Sequence, residues 1–301
     1  MRTVMLLTVA AGCGQVGAVV DAHLSSEDAP PEVQPKTCNS GARFGPRLPI
    51  PGLEVIEGVA PRLSPDERTI YFGSNAGELY AAERDSPSTP FRPAIALTRQ
   101  NSISYEGGPT VTADGLALWF SSVRVPNEGT HIYVSTRTSM LAEFGTPGLA
   151  ANINSADVMQ NDQQVFVIPD GSELWFTSTR AGGLGGRDIL QATRVGDHFS
   201  EPRFVLELNS PEEDWLPTLS SDRLTVYFSS VRSAAGTKGS FDVWTAHRSI
   251  SSDGFPTPSL VDELSTSGSD LTGWLSADNC RIYGATEGSD GLYHPYVASR
   301  L

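Results

Sequence analysis

The chain has 301 residues, of which 21 are Lys or Arg and 35 are Asp or Glu, so its formal net charge is −14. An acidic protein of this kind lacks the basic face that neutralises phosphates, which excludes nucleic acid as an expected partner. Apolar residues make up 39% of the chain, beside 29 Gly and 21 Pro. This composition disfavours a helical bundle or a polytopic membrane protein and favours many short strands separated by turns.

The first residues are typical of an export signal. Arg2 precedes an apolar run, Val4 to Ala11, that is too short to span a bilayer as a mature helix. The stretch Ala10-Ala11-Gly12-Cys13 resembles a bacterial lipobox, in which the Cys is lipidated and becomes the new N-terminus. The resemblance implies a lipid anchor on Cys13 and a place at the bacterial outer membrane or in the periplasm. The alternatives are an ordinary export signal cut nearby and a buried segment with an incidental Cys.

The domain boundaries follow from composition. Residues 1–13 are predicted to be the signal. Residues 14–43 are predicted to be a flexible tether, because their Ser, Pro, Glu, Asp and Ala residues cannot bury enough apolar surface to fold. Residues 44–301 are predicted to be the folded domain. The membrane is therefore expected to be contacted only through the lipid anchor, and the protein is expected to be a monomer.

One sequence motif occurs five times after residue 57, and this repeat predicts the fold. Each copy has a short strand, a turn with Asp, an aromatic strand, a further turn and a third strand followed by Arg. The turn aspartates lie 48, 56, 52 and 56 residues apart. They are Asp66, Asp114, Asp170, Asp222 and Asp278. We expect these aspartates to satisfy local backbone groups rather than to catalyse a reaction.

A fourth segment with Phe and Pro completes the first four units, as in Phe144-Gly145-Thr146-Pro147, and Pro suits an outer edge strand. The fifth unit has no such segment after it. Phe44-Gly45-Pro46 precedes the first unit with the same pattern, so the N-terminal strand is predicted to close the ring. The fold class is therefore all-β, a five-bladed β-propeller of four-stranded blades.

The chain also resembles the PD40, or TolB-like (WD40-like), propeller repeat family. Residues 168–189, from Ile168-Pro169-Asp170-Gly171 through Arg180-Ala181-Gly182-Gly183 to Asp188-Ile189, carry the resemblance best. The resemblance covers about residues 44–301 and implies the same propeller fold. TolB itself resembles a six-bladed propeller and is longer than this chain. The resemblance therefore does not imply that this chain binds the partner of TolB.

Three cysteines are present, and lipidation of Cys13 would leave Cys38 and Cys280. Cys38 lies just before the predicted closing strand, and Cys280 lies inside the fifth blade. A disulfide between them would hold the closure, and an exported compartment permits it. Two unpaired thiols are the alternative. Three cysteines without a CxxC pair give no support for a zinc site.

Four of the five units carry an acid eight residues before the turn aspartate, at the start of the innermost strand. These residues are Glu106, Asp162, Asp214 and Asp270, and Gly58 stands at the fifth position. They predict an acidic ring at one mouth of the central channel, which would bind a Ca²⁺-like cation or a cationic group of a partner. The alternative is that each carboxylate caps backbone N–H groups of its own blade. No cofactor other than Ca²⁺ is expected.

Two classes of function remain open at this point. The main prediction is a non-catalytic propeller of the cell envelope that binds a protein or a glycan on its loop-rich face. The alternative is a glycoside hydrolase of the five-bladed type, because its chemistry needs two carboxylates around a pocket and the ring acids at the channel would supply them. A fused peptidase is excluded for this stretch of chain, since it contains no GxSxG motif.

Overall fold

The computed structural model describes residues 38–54 and 56–300, all of which belong to one compact unit. The predicted signal with Cys13, and residues 14–37 of the predicted tether, lie outside the described residues. Residues 38–43 of the tether are described, and they form a turn in which Asn39 accepts hydrogen bonds from the N–H groups of Gly41 and Ala42. Within the described residues, no helix has the length and apolar character needed to cross a bilayer.

Five antiparallel sheets form the five blades of a β-propeller, which confirms the predicted fold class. The innermost strands are β2 (Gly58–Leu63), β6 (Glu106–Val111), β10 (Asp162–Val167), β15 (Asp214–Leu219) and β19 (Asp270–Leu275). The second strands are β3 (Thr69–Ser74), β7 (Ala117–Ser122), β11 (Glu173–Ser178), β16 (Thr225–Ser230) and β20 (Arg281–Glu287). The third strands are β4 (Leu79–Glu83), β8 (His131–Thr136), β12 (Asp188–Val195), β17 (Asp242–His247) and β21 (Tyr293–Ser299).

The outer strands are only two residues long, because the prolines beside them cannot donate to a longer ladder. They are β1 (Leu48–Pro49), β5 (Ile95–Ala96), β9 (Gly148–Leu149), β14 (Arg203–Phe204) and β18 (Ser259–Leu260). Blade 3 has one more short strand, β13 (His198–Phe199), which pairs with the end of β12. A 3₁₀ turn, Asp262–Leu264, follows β18. Each innermost strand packs against the innermost strands of both neighbouring blades, so the five enclose a central channel.

The N-terminal strand closes the ring as predicted. Strand β1 pairs antiparallel with β21, with Leu48 opposite Val297 and Pro49 opposite Tyr296. A disulfide joins Cys38 to Cys280, with the two Cα atoms 5.7 Å apart. The fifth blade is therefore built from both ends of the described chain, and this pairing makes the propeller a closed ring.

An arginine at the end of each third strand, or directly after it, explains why Arg and Phe repeat in the sequence. The guanidinium of Arg84 lies 4.4 Å from the ring centre of Phe91, and its Nε donates to the Glu67 carbonyl oxygen at 2.6 Å. The same pair of contacts recurs in every blade. Arg137, Arg194, Arg248 and Arg300 lie over Phe144, Phe199, Phe255 and Phe44, respectively. The partner of Arg300 comes from the N-terminal segment, which is the side-chain counterpart of the strand closure.

The turn aspartates are structural, as their position in a tight turn predicts. The carboxylate of Asp114 accepts hydrogen bonds from the Thr112 hydroxyl at 2.6 Å and from the Leu116 N–H at 2.9 Å. In all five blades the turn aspartate accepts the N–H two residues later. The residue after each aspartate adopts positive φ, which glycine tolerates best. These residues are Glu67, Gly115, Gly171, Arg223 and Asn279.

Candidate functional site

The four ring acids begin their innermost strands as predicted, and each is 0% exposed. The Asp162 carboxylate accepts the Ser155 N–H at 2.6 Å and forms an ion pair with Arg180 at 2.6 Å. Glu106, Asp214 and Asp270 follow the same scheme. Each accepts an N–H and a hydroxyl hydrogen from a Ser or Thr four residues earlier. Their arginine partners are Arg124, Arg232 and Arg47, respectively.

This geometry makes each ring carboxylate a cap within its own blade. Every hydrogen bond and ion pair that the four carboxylates form goes to a serine, threonine or arginine, and none joins two ring acids. A cation at the ring would have to displace these donors. Among residues 38–54 and 56–300, no group of three or more His, Cys, Asp or Glu is arranged to hold a metal ion.

Blade 1 departs from the scheme at both positions of the pair. Gly58 stands where the acid would be, and Ala76 stands where Arg124, Arg180 and Arg232 follow the second strand. The neighbouring Asn75 contacts blade 5 instead. Its Nδ2 donates to the Tyr293 carbonyl oxygen at 3.3 Å, and its Oδ1 accepts the Tyr293 N–H at 3.4 Å. The mouth of the channel is therefore asymmetric at the junction of blades 1 and 5.

A bulge lies at the third residue of the innermost strands. In blades 1 to 4 this residue has positive φ, at 49° for Ala60, 58° for Gly108, 55° for Gln164 and 54° for Leu216. The strand register shifts at the same place in each blade. Positive φ in a non-glycine residue stores strain of about 1–3 kcal/mol, and such strain concentrates at functional sites.

A pocket of about 190 Å³ opens at this level, and residues of all five blades line it. Three of its walls are aromatic, namely Tyr105 from the segment before β6, Trp215 from β15 and Tyr293 from β21. Trp215 is fixed on two sides, because Arg187 lies 5.6 Å from its ring centre and Phe241 lies 5.4 Å away. We call this space the central pocket. Its remaining lining residues are Val59, Ala60, Ser74, Asn75, Gln164, Leu216 and Leu271.

Two glycines in β6 make room for the polar side of the central pocket. A Cβ on Gly107 would lie 2.2 Å from the Tyr105 hydroxyl, and a Cβ on Gly108 would lie 2.6 Å from Gln164 Oε1. Gln164 is only 2% exposed, and its Oε1 has no hydrogen-bond partner within the described residues. Trp215 Nε1 is likewise buried and has no hydrogen-bond partner among the described residues. Burial raises the pKa of Tyr105 above its ordinary value, which already keeps the hydroxyl protonated at neutral pH.

The residues just before the ring positions are not shared by all five blades, although Glu occurs in two of them. They are Glu57, Tyr105, Asn161, Glu213 and Ser269. Glu57 is exposed, and the Glu213 side chain is 36% exposed while it pairs with Arg187 at 2.6 Å. These two carboxylates remain accessible to solvent, unlike those of the ring. They belong to blades 1 and 4, which are not neighbours in the ring.

Glu57 and Glu213 lie beside ring positions in the sequence, but no repeated pattern points to the central pocket. Tyr105, Gln164, Trp215 and Tyr293 occupy four different positions in the repeat. A search for residues shared by the blades therefore passes over them. The sequence does contain a signal of the opposite kind, namely a residue that departs from the repeat. Gln164 is an example, because Ala60 and Gly108 hold the equivalent position in blades 1 and 2.

No family model matches this chain, and no curated protein matches it in sequence. Solved structures with a similar fold include an alpha-L-arabinofuranosidase from Lactobacillus brevis. Its TM-score is 0.59 at 10% identity, over 83% of this chain and 92% of the other. A thermostable family-43 glycoside hydrolase has a TM-score of 0.56 at 11% identity, over 85% and 91% of the two chains. An alpha-L-arabinofuranosidase from Podospora anserina, solved with cellotriose, has 0.51 at 13%, over 88% and 98%.

These comparisons correct the main functional prediction. The three structures named above and a GH62 hydrolase solved with xylotriose are glycoside hydrolases, so the expectation of a non-catalytic propeller that only binds a protein or glycan partner is wrong. They favour the glycoside hydrolase alternative. At 10–13% identity the likeness itself establishes the five-bladed propeller fold, and the activity has to be argued from the pocket.

Proposed function

We propose that this protein is a glycoside hydrolase whose substrate binds in the central pocket. The observation that carries the proposal is the pocket itself, which lies at the channel mouth, has three aromatic walls and is built from all five blades. Ligand pockets of this type combine aromatic surface with a few placed polar groups. A sugar unit matches that combination, since its ring has apolar faces and its hydroxyls both donate and accept hydrogen bonds.

The polar groups of the pocket suit such a ligand. Gln164 Oε1 is an acceptor and Trp215 Nε1 is a donor, and neither has a partner in the described part of the chain. A buried polar atom without a partner costs about 1–3 kcal/mol. A sugar hydroxyl in the pocket could bond the Gln164 amide after a small rotation of that side chain, and so recover part of this cost.

Glu57 and Glu213 are the carboxylates that we assign to the reaction. Glycoside hydrolysis uses one carboxyl group as the general acid on the leaving oxygen and a second as base or nucleophile. The ring acids Glu106, Asp162, Asp214 and Asp270 are poorly suited, because they are fully buried and occupied by arginine, N–H and hydroxyl donors. Glu57 and Glu213 are accessible, and they directly precede the ring positions of blades 1 and 4, which are not adjacent.

The evolutionary origin and the location of the protein are also part of this proposal. We propose a PD40-like origin for the propeller, export of the protein and a lipid anchor on Cys13. The substrate would then be a glycan met at the outer membrane or in the periplasm. The repeated motif and the lipobox-like stretch support these points.

Hydrolysis assays on the full-length protein test the activity. Arabinan, arabinoxylan and fructan are offered as substrates, and released sugar is measured. Replacing a general acid or base lowers the rate by about 10²–10⁴-fold. We therefore expect Glu213→Gln and Glu57→Gln each to lower kcat by at least about 100-fold, with little change in KM. Glu212→Gln is the matched control, since Glu212 is an exposed neighbour of Glu213, and it should keep full activity.

Two results would overturn the proposal. One is the absence of turnover on every glycan offered to the folded protein. The other is turnover that survives both the Glu57→Gln and the Glu213→Gln change but is abolished by Asp162→Asn in a protein that remains folded. That second pattern would return the reaction to the ring acids.

A further inference from the structure

We infer that the central pocket is closed at its base by Arg62 and accepts one terminal sugar unit, so that the enzyme cleaves glycans from chain ends. This inference rests on the proposed function and adds the mode of attack. An enzyme that cleaves within a chain needs a site open at two ends. A pocket with a single opening admits only the end of a chain.

Arg62 fills the channel below the pocket. It is the fifth residue of β2 and is 0% exposed. Its Nη1 donates to Thr218 Oγ1 at 3.0 Å and to the Gly273 carbonyl oxygen at 2.5 Å. Its guanidinium also lies 4.9 Å from the ring centre of Phe166. One side chain from blade 1 thus touches blades 3, 4 and 5, which is possible only if it crosses the channel.

The charge on Arg62 makes this closure permanent at neutral pH. Burial lowers the pKa of Arg62 to about 9, which still leaves the guanidinium protonated at pH 7. Its acceptors are neutral, namely the Thr218 hydroxyl and the carbonyl oxygens of Pro217 and Gly273. Each of these bonds would be lost if the side chain swung aside, and a planar guanidinium fixed by several acceptors is a rigid group.

The pocket lies directly above this base. Ala60 lines the pocket and precedes Arg62 by two residues in the same strand, a rise of about 6–7 Å. The space between this base and the mouth is about 190 Å³, below the range of about 300–1,000 Å³ that holds larger organic ligands. Tyr105, Trp215 and Tyr293 border it from blades 2, 4 and 5. One sugar unit is the ligand of matching size.

Product analysis on the full-length protein tests the inference. A ladder of linear arabino-oligosaccharides is digested and sampled from the earliest times, beside a ladder whose non-reducing ends are chemically capped. We expect a monosaccharide as the first product, no fall in the viscosity of arabinan, and a rate at least about 100-fold lower on the capped ladder. Internal fragments at early times, or a rapid fall in viscosity, would overturn the inference while leaving the glycosidase proposal intact. No hydrolysis of any ladder would overturn both.

Binding of free sugars gives a second, independent readout. Calorimetry uses the Glu213→Gln background, in which bound arabinotriose should not be hydrolysed. Arabinose and arabinotriose should there give Kd values within about threefold of each other, because only one unit is enclosed. Adding Arg62→Ala would deepen the pocket and should strengthen binding of the trisaccharide at least about tenfold over the monosaccharide, whereas adding Arg62→Lys should not. Binding of the trisaccharide at least about 100-fold tighter than the monosaccharide with Arg62 in place would contradict the inference. If the Arg62→Ala protein does not fold, the comparison with Arg62 in place and the product profile still decide.

Discussion

Arg47 and Asp270 are 223 residues apart in the chain, yet Arg47 Nη1 lies 2.6 Å from Asp270 Oδ1. In blades 2, 3 and 4 the arginine that pairs with the ring acid follows the second strand of the same blade. Blade 5 has Gly288 at that position, and the N-terminal segment supplies the missing guanidinium. The N-terminal segment thus supplies the last blade with its outer strand, an aromatic ring, a cysteine and a positive charge.

Removal of that guanidinium should destabilise the ring closure. Arg47→Ala leaves Asp270 as a buried carboxylate without its cation, and breaking a buried pair in this way costs about 3–5 kcal/mol. Arg47 is partly exposed, so we expect the lower end, about 3 kcal/mol, in urea unfolding. Arg43→Ala on the same segment, where the arginine is exposed, should change stability by less than about 0.5 kcal/mol. Equal effects of the two variants would contradict this role of Arg47.

The disulfide should contribute more than any single side-chain contact. It joins residues separated by 242 positions, and the chain-entropy model gives about 5 kcal/mol for a loop of that length. Cys38→Ser combined with Cys280→Ser should lower the free energy of unfolding by about that amount, and reduction of the native protein should have the same effect. Unfolding at an unchanged urea concentration after reduction would mean that β1 alone closes the ring. Two reactive thiols in the unreduced protein would show that the bond is absent.

Changes in the ring acids should reduce stability rather than cation binding. Asp162→Asn keeps the side-chain shape but removes the charge that pairs with Arg180, a contact in which the carboxylate is fully buried. We expect a loss of about 3 kcal/mol in unfolding experiments. Because donors already occupy the carboxylates, calorimetric titration with Ca²⁺ at millimolar concentration should give no binding heat. Saturable heat that disappears in Asp162→Asn and Asp214→Asn would establish a calcium site instead.

Gly108→Ala should damage the central pocket specifically. The new methyl would lie 2.6 Å from Gln164 Oε1, and the backbone at Gly108 has φ of 58°. We expect a loss of about 1–3 kcal/mol in stability from the left-handed backbone, with a further loss of sugar binding because Gln164 must move. Gly196→Ala is the matched control, since Gly196 also has positive φ but lies in an exposed turn with open space around it. It should cost stability without affecting sugar binding, so equal binding losses in both variants would argue against this role for Gln164.

Acid should weaken the fold through the turn aspartate Asp114. Hydrogen bonds from the Thr112 hydroxyl and the Leu116 N–H lower the pKa of Asp114 in the folded state. The unfolded chain has the ordinary value of about 3.9 and binds the proton first, so the stabilisation is fully present above that pH. It is lost as the pH falls through the lower, folded-state pKa. The gap in thermal midpoint between the native protein and Asp114→Asn should therefore shrink from pH 5 to pH 2. A gap that stays constant would contradict the assignment.

The sequence by itself determined the architecture. Its five repeats, the turn aspartates and the Phe–Pro segment at Phe44 predicted the blades and the closure, because contacts that recur in every blade leave a recurring pattern. The pairing of Arg84 with Phe91 and its four equivalents shows the physical origin of that pattern. The ring acids were found in the same way, and their burial follows from the same local contacts.

The central pocket was decided only by the tertiary structure. Tyr105, Gln164, Trp215, Tyr293 and Arg62 occur once each at unrelated positions of the repeat, so periodicity gives no reason to group them. Closure of the ring brings them to one axis, where the glycines of β6 leave room for them. Repetition in the sequence encodes the scaffold, whereas the site depends on side chains that break the repetition and meet only when the ring is complete.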